Sequence, residues 1–203
     1  DVGGHYGETI FFFNKNFKIK NIYSFEASPI NFKILNKKIE KLDHNKIKIY
    51  NVALGQHSDE LEFNQSSESQ SSTFLKVNTK SKYLARKKKY LFLKDNEYFL
   101  KTFKIKIITL QSFIKKNLIK KIDFLKIDTE GFDFDVIKGL EDDIKKVKYL
   151  YFEHHFHDMF KKNYKFSDIN DHLKKNNFKK IFKVKMMFRK TFEYIYCNET
   201  YSD

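Results

Sequence analysis

The opening "DVGGHYGET" places Asp1, Gly3 and Gly7 in the spacing D-x-G-x-x-x-G, and half of the six glycines of the chain fall within it. Glycine lets a strand-to-helix turn tighten and lets a ligand approach the backbone, while the helix that follows offers free N–H groups. A ligand-binding turn is one reading; a purely structural turn is the other. The spacing is neither the G-x-G-x-x-G of nicotinamide and flavin folds nor a phosphate loop. Glu26 ends the next apolar run, "NIYSFEA", where an α/β cofactor fold holds the ribose hydroxyls of a nucleoside. It could also be a solvated loop acid, but together the two features favour an adenosyl cofactor.

Two further clusters bear chemistry. Asp128, Thr129, Glu130 and Gly131 close the run "FLKIDTEG", at the carboxyl edge where open α/β sheets bind ligands. Glu130 can instead cap a helix beginning near Phe132, where the helix dipole favours an acid. In "FEHHFHD" an extended backbone puts Glu153, His155 and His157 on one face, a set able to hold a divalent metal. No metal is expected; a proton-relay or substrate-binding role for Glu153 with His154 or His155 is favoured. Ser71, Ser72 and Thr73 offer hydroxyl donors, or form a polar surface loop.

These residues need a frame. Glu8 to about Phe17 reads as a helix, "NIYSFEA" as a buried strand, and Ser28–Pro29 as the cap and first turn of a helix to about Leu42. "KIKIYNVALG" reads as one strand, so strand and helix alternate as in a parallel α/β sheet. "DELEFNQ" is an expected strand and "SSESQSSTF" a polar loop, and residues 75–100 are rich in Lys and Tyr without periodicity. Residues 65–100 are expected to form a lid or insertion. Regularity returns with "FKIKIITL", "DFLKID" and "VKYLYFE" as strands and "QSFIKKNLI", "DFDVIKGLEDDI" and "SDINDHLKKN" as helices. "FKKIFKVKMM" and "TFEYIYCNE" are close enough to pair antiparallel.

The 203 residues suit a single domain, 1–203, with a core supplied by 41% apolar residues including 23 Phe and 12 Tyr. No apolar run reaches the ~18–20 residues of a membrane-spanning helix. The lone Cys197 cannot make an intrachain disulfide, so a cytoplasmic setting is expected. A net charge of +14 suggests nucleic acid, but the only arginines are Arg86 and Arg189 and the lysines are spread, apart from Lys87 to Lys89. Nucleic acid is therefore not the expected partner. Asp1 lies inside the glycine motif, so residues upstream are expected to be missing.

Over most of its length the sequence resembles the FkbM-type methyltransferases. The similarity runs through "DVGGHYGET", "FEASPINF", "NVALG", "SSTF", "ITLQSFI", "IDFLKIDTEGFDFDVIKGL" and "YLYFEHH", the "LKIDTEG" block with "VIKG" being the most specific part. His5 and Gln111 depart from the Asn and Asp common there. The resemblance implies a Rossmann-like class I methyltransferase fold: a mostly parallel seven-stranded sheet, its first strand truncated here and its last antiparallel, with helices on both faces. It implies S-adenosylmethionine as cofactor and O-methylation of a sugar hydroxyl on a glycan or secondary metabolite. An RNA methyltransferase and a non-catalytic binding module are the alternatives. Asp1, Gly3, Gly7 and Glu26 with Ala27 are then expected around the methionine and ribose, and Asn51, Val52 and Ala53 near the adenine. Asp128 is expected at both cofactor and acceptor, where a carboxylate can take or orient a hydroxyl proton, with Glu153 and His155 as its catalytic partners.

Overall fold

The computed structural model describes residues 1–68, 71–93, 98–187 and 189–201. The expected 65–100 lid, and the polar loop within it, run in part over residues 69–70 and 94–97, which lie outside the described residues. Along the chain come α1 (Glu8–Asn16), β1 (Ile22–Phe25), α2 (Pro29–Ile39), β2 (Ile47–Tyr50), β3 (Ala53–Leu54) and β4 (Asp59–Ser66). Then follow α3 (Lys82–Tyr90), β5 (Phe99–Ile108), α4 (Leu110–Lys116), β6 (Ile122–Ile127) and α5 (Asp133–Lys138). β7 (Val147–His155), α6 (Phe166–Lys175), β8 (Phe178–Lys185) and β9 (Thr191–Asn198) complete it. Among the described residues no helix is long and apolar enough to cross a membrane.

Local chemistry sets the ends of these elements. Ser28 Oγ accepts the Asn31 N–H at 3.1 Å and Pro29 occupies the first turn of α2, where its missing N–H costs nothing. Asn51 turns the chain after β2 by donating to the Glu26 and Ala27 carbonyls at 2.8 and 3.3 Å, so the expected single strand "KIKIYNVALG" splits into β2 and β3. The expected helix over residues 133–144 also divides, into α5 and a 3₁₀ helix at Glu141–Lys146. Gly139 lies between them, packed so closely that a Cβ there would stand 2.1 Å from the Gly55 carbonyl oxygen.

The expectation of one mostly parallel seven-stranded sheet is corrected. The strands form a two-stranded sheet β1-β2, a three-stranded sheet β3-β5-β4 and a four-stranded sheet β6-β7-β9-β8. Pairing is parallel for β1/β2, β3/β5 and β6/β7, and antiparallel for β4/β5, β7/β9 and β8/β9. Among the described residues only Val2 connects the first and third sheets, bridging in parallel to Phe25 and to Ile127. The Val2 N–H donates to Lys126 O, and its carbonyl accepts from Asp128 N, both at 2.9 Å. The ladder stops there because Gly3 swings to φ 86°, leaving the extended region. β9, the last strand, is antiparallel to both of its neighbours.

Helices pack on both faces. Leu110, Phe113 and Ile114 of α4, Val136 and Ile137 of α5 and Ile169 and Leu173 of α6 cover Phe25, Ile127, Leu150, Phe152 and Tyr194. On the other side Ile10 of α1 and Leu35 and Ile39 of α2 close over Ile47. Beyond α1, that side leaves Phe12, Phe13, Phe124 and Tyr151 along an open groove. The segment expected to lack regular structure contains α3, capped by Ser81, whose Leu84 packs in a small core with Tyr98, Met159 and Phe160.

Candidate active site

A cavity of about 340 Å³ opens at the carboxyl ends of β1, β6 and β7. Its first wall is the glycine turn. Gly3 adopts φ 86°, and a Cβ there would meet the backbone oxygen of Asp128 at 1.9 Å, so the turn lies directly against β6. Gly3, Gly4 and His5 line the cavity, whereas Asp1 and Gly7 stand behind it. Asp1 braces the turn: Oδ2 accepts from Ser24 Oγ at 2.9 Å and Oδ1 lies 3.4 Å from Lys126 Nζ. Gly7, at φ 91°, starts α1.

Glu26 faces the same space from the end of β1 and is only 5% exposed. Oε2 accepts the His5 N–H at 2.7 Å and Oε1 the Ser28 N–H at 2.8 Å. Burial pushes its carboxyl up to about 7, against the pull of these two N–H donors. The Asn31 side chain adds a third hydrogen bond, and the carboxylate keeps acceptor capacity for one more donor. Ala27, Val52 and Ala53 line the cavity beside it, while Asn51 holds the backbone behind Glu26.

The far wall is acidic. Asp128, Glu130 and Glu153 converge there, with Lys126 Nζ 3.3 Å from Asp128 Oδ2. Glu130 does not cap α5, whose N-cap is Phe132 without a side-chain cap; Asp133, the first residue of the helix, reaches back to accept from the N–H groups of Thr129 and Gly131 in the preceding turn at 3.0 and 3.1 Å. Glu130, at φ 50°, turns instead into the cavity, with its carbonyl accepting from Thr73 Oγ1 at 2.9 Å. Burial and the neighbouring Asp128 raise the Glu130 carboxyl to about 8. Glu153 is raised as well, first by burial and then by Asp128 and Glu130. Ser72 lines the cavity too, and the buried Ser71 bonds to Glu68, which forms a half-buried ion pair with Lys87 at 2.6 Å.

The three histidines part company. His155 is behind the cavity wall, Nε2 3.6 Å from Glu130 Oε2 and Nδ1 3.0 Å from Thr191 Oγ1. His157 stacks on Tyr83 with ring centroids 4.1 Å apart, and His154 packs against Phe156 and Phe166 on the opposite face. Burial holds all three well below the usual imidazole range. Among the described residues no three such ligand side chains are grouped to hold a metal ion.

A family model for the methyltransferase FkbM domain matches residues 1–180. The chain belongs to that family. The fold agrees: the structure of an FkbM methyltransferase from Methylobacillus flagellatus KT superposes with a TM-score of 0.60 over 97% of this chain at 12% identity. M. capricolum TrmK, solved in complex with S-adenosyl-homocysteine, superposes with a TM-score of 0.54 over 100% of this chain at 13% identity. The chain spans 42% and 62% of those two chains' lengths. No curated protein matches the sequence.

In this FkbM domain, sequence reasoning missed the aromatic wall. Phe63, Phe74 and Phe132 line the cavity, with centroids 4.8 Å apart for Phe63 and Phe74 and 5.2 Å for Phe74 and Phe132. They come from three separate segments, and no local pattern marks them. Met186 and Arg189, at the turn between β8 and β9, also reach the cavity. Of the two departures from the family pattern, His5 supplies the N–H that holds Glu26, whereas Gln111 only joins its backbone N–H to Gly139 O at 2.9 Å.

Proposed function

We propose that this FkbM domain transfers a methyl group from S-adenosylmethionine to an acceptor oxygen, a sugar hydroxyl of a glycan or secondary metabolite. The observation that carries the reading is Glu26: a buried carboxylate anchored by two backbone N–H groups and the Asn31 side chain, with acceptor capacity left for a further donor, opposite a ring of acids across one cavity. The residues fit an adenosyl cofactor. Glu26 would accept from the ribose hydroxyls, Val52, Ala53 and the Phe74–Phe132 pair would flank the adenine, and Gly3 and Gly4 leave room along the turn. When bound, the cofactor supplies an electrophilic methyl group.

The chain's own residues orient the acceptor and remove its proton. Asp128, steadied by Lys126, and Glu130 and Glu153 are the carboxyls in reach. Holding the acceptor oxygen in line supplies several kcal/mol, about 7–11 in the best intramolecular cases. His155 touches the cavity only through Glu130 and is a positioning residue. Among the described residues five acids, Glu8, Glu26, Asp128, Glu130 and Glu153, line the cavity against two bases, Lys126 and Arg189, a lining that offers little to a phosphate backbone. Incubation with methyl-labelled S-adenosylmethionine, a panel of sugars and bulk transfer RNA tests the reading: label is expected in a sugar, and label in RNA overturns the acceptor class.

A further inference from the structure

Glu153 is 7% exposed, lines the cavity, and its carboxyl accepts no hydrogen bond from any described residue. The charged groups that act on it most strongly are all acids: Asp128 and Glu130 beside it, Asp133 at the start of α5, and Glu193, its register partner on β9. The nearby bases are engaged elsewhere. Lys126 lies between Asp1 and Asp128, and Lys87 is paired with Glu68. Arg189 lines the same cavity and acts on Glu130, but it is not among the groups that act most strongly on Glu153. A buried carboxyl without a partner is costly, and like charges around it add to the cost. In a chain of net charge +14, no described base pairs with Glu153.

A bound metal does not answer the deficit, because the described residues group no three ligand side chains suitably. A neutral sugar hydroxyl would leave the repulsion in place. An ammonium group has three donors and a full charge, and needs only one or two carboxylates. We propose that the methyl acceptor carries a protonated amine close to the hydroxyl that is methylated, an amino sugar being the class that fits, and that Glu153 holds this amine together with Glu130. The inference rests on the reading of the cavity as a methyl-transfer site. It makes Glu153 a residue of acceptor selection, with Asp128 and Glu130 as the carboxyls within reach of the reacting oxygen.

The test is calorimetric titration of D-glucosamine, N-acetyl-D-glucosamine and D-glucose into protein saturated with S-adenosylhomocysteine, at a pH where the free amine is protonated. Glucosamine is expected to bind roughly ten- to a hundredfold more tightly than the two uncharged sugars. Glu153→Gln, which keeps the size of the side chain, should erase that preference while S-adenosylhomocysteine affinity stays unchanged. Should that variant fail to fold, Glu130→Gln carries the test and should weaken the same preference. Equal binding of the three sugars, or a preference that survives both substitutions, overturns the proposal and leaves the methyl-transfer reading standing. A Glu153→Gln protein that loses instead a preference for S-adenosylmethionine over S-adenosylhomocysteine assigns the missing cation to the sulfonium, and also overturns it. No binding of S-adenosylhomocysteine to the parent protein brings down both.

Discussion

Glu130 Oε2 stands 3.6 Å from Nε2 of His155, whose other ring nitrogen lies 3.0 Å from the Thr191 hydroxyl. A buried carboxyl is thus backed by a neutral imidazole on the side away from the cavity. A base whose pKa lies near the working pH is the efficient kind, and the Glu130 carboxyl is held at about 8. Glu130→Gln and Asp128→Asn are each expected to leave S-adenosylhomocysteine affinity intact. The one that removes the proton acceptor should cut turnover by about 10²–10⁴. Single-turnover rates on both variants distinguish them, and near-normal rates in both would remove the pair from the mechanism.

The buried acids set a pH dependence of stability. Glu130 moves from its ordinary 4.5 to about 8, so the folded state holds this proton more tightly than the unfolded chain. The stabilisation is full below 4.5 and is lost as pH rises to about 8; Glu26 and Asp133, each raised to about 7, act in the same sense. His154 and His157, lowered from 6.5 to about 3 and about 4, act oppositely and cost stability as pH falls below 6.5. The melting temperature should therefore decline from pH 6.5 to pH 8.5. Glu130→Gln should flatten that decline, by about 2–4 °C for each kcal/mol recovered. A melting temperature that climbs over this range contradicts the assignment.

Gly3 is irreplaceable on geometry. Alanine there would need φ 86° and would bring its Cβ to 1.9 Å from the Asp128 backbone oxygen, which cannot move without breaking the Val2 bridge to β6. Gly3→Ala should cost more than about 4 kcal/mol, as a backbone clash at a special conformation does, and denaturant titration reads it. Unchanged stability would mean that the turn does not pack on β6 as described.

Much of this was legible in the residues. The Ser28–Pro29 cap, the glycine turn before α1 and the acids at the ends of β1 and β6 each carry a local signature. Other features depended on distant partners. α3 buries only Leu84, too thin a face to show periodicity among its lysines. That Glu130 turns into the cavity follows from its φ of 50° in a turn that Asp133, two residues beyond Gly131, holds through the Thr129 and Gly131 N–H groups. The single expected sheet became three because, among the described residues, Val2 alone joins β1 to β6, and because β4 pairs with β5 through a connection without periodicity.

Glu26 separates binding from folding on the cofactor side. Glu26→Ala should weaken S-adenosylhomocysteine binding by roughly ten- to a hundredfold, the worth of about 1.5–3 kcal/mol of charged hydrogen bonding. The circular dichroism spectrum should stay that of the parent. Parent-like affinity would show that the carboxylate serves only to brace the His5 and Ser28 N–H groups.

Whether this cavity receives an S-adenosyl cofactor is read by a thermal-shift comparison of S-adenosylhomocysteine with NADH on the same protein. A ligand at about 100 times its dissociation constant adds roughly 2.7 kcal/mol when only the native state binds it. S-adenosylhomocysteine is predicted to raise the melting temperature accordingly and NADH to leave it unchanged; stabilisation by NADH with none by S-adenosylhomocysteine would contradict the account.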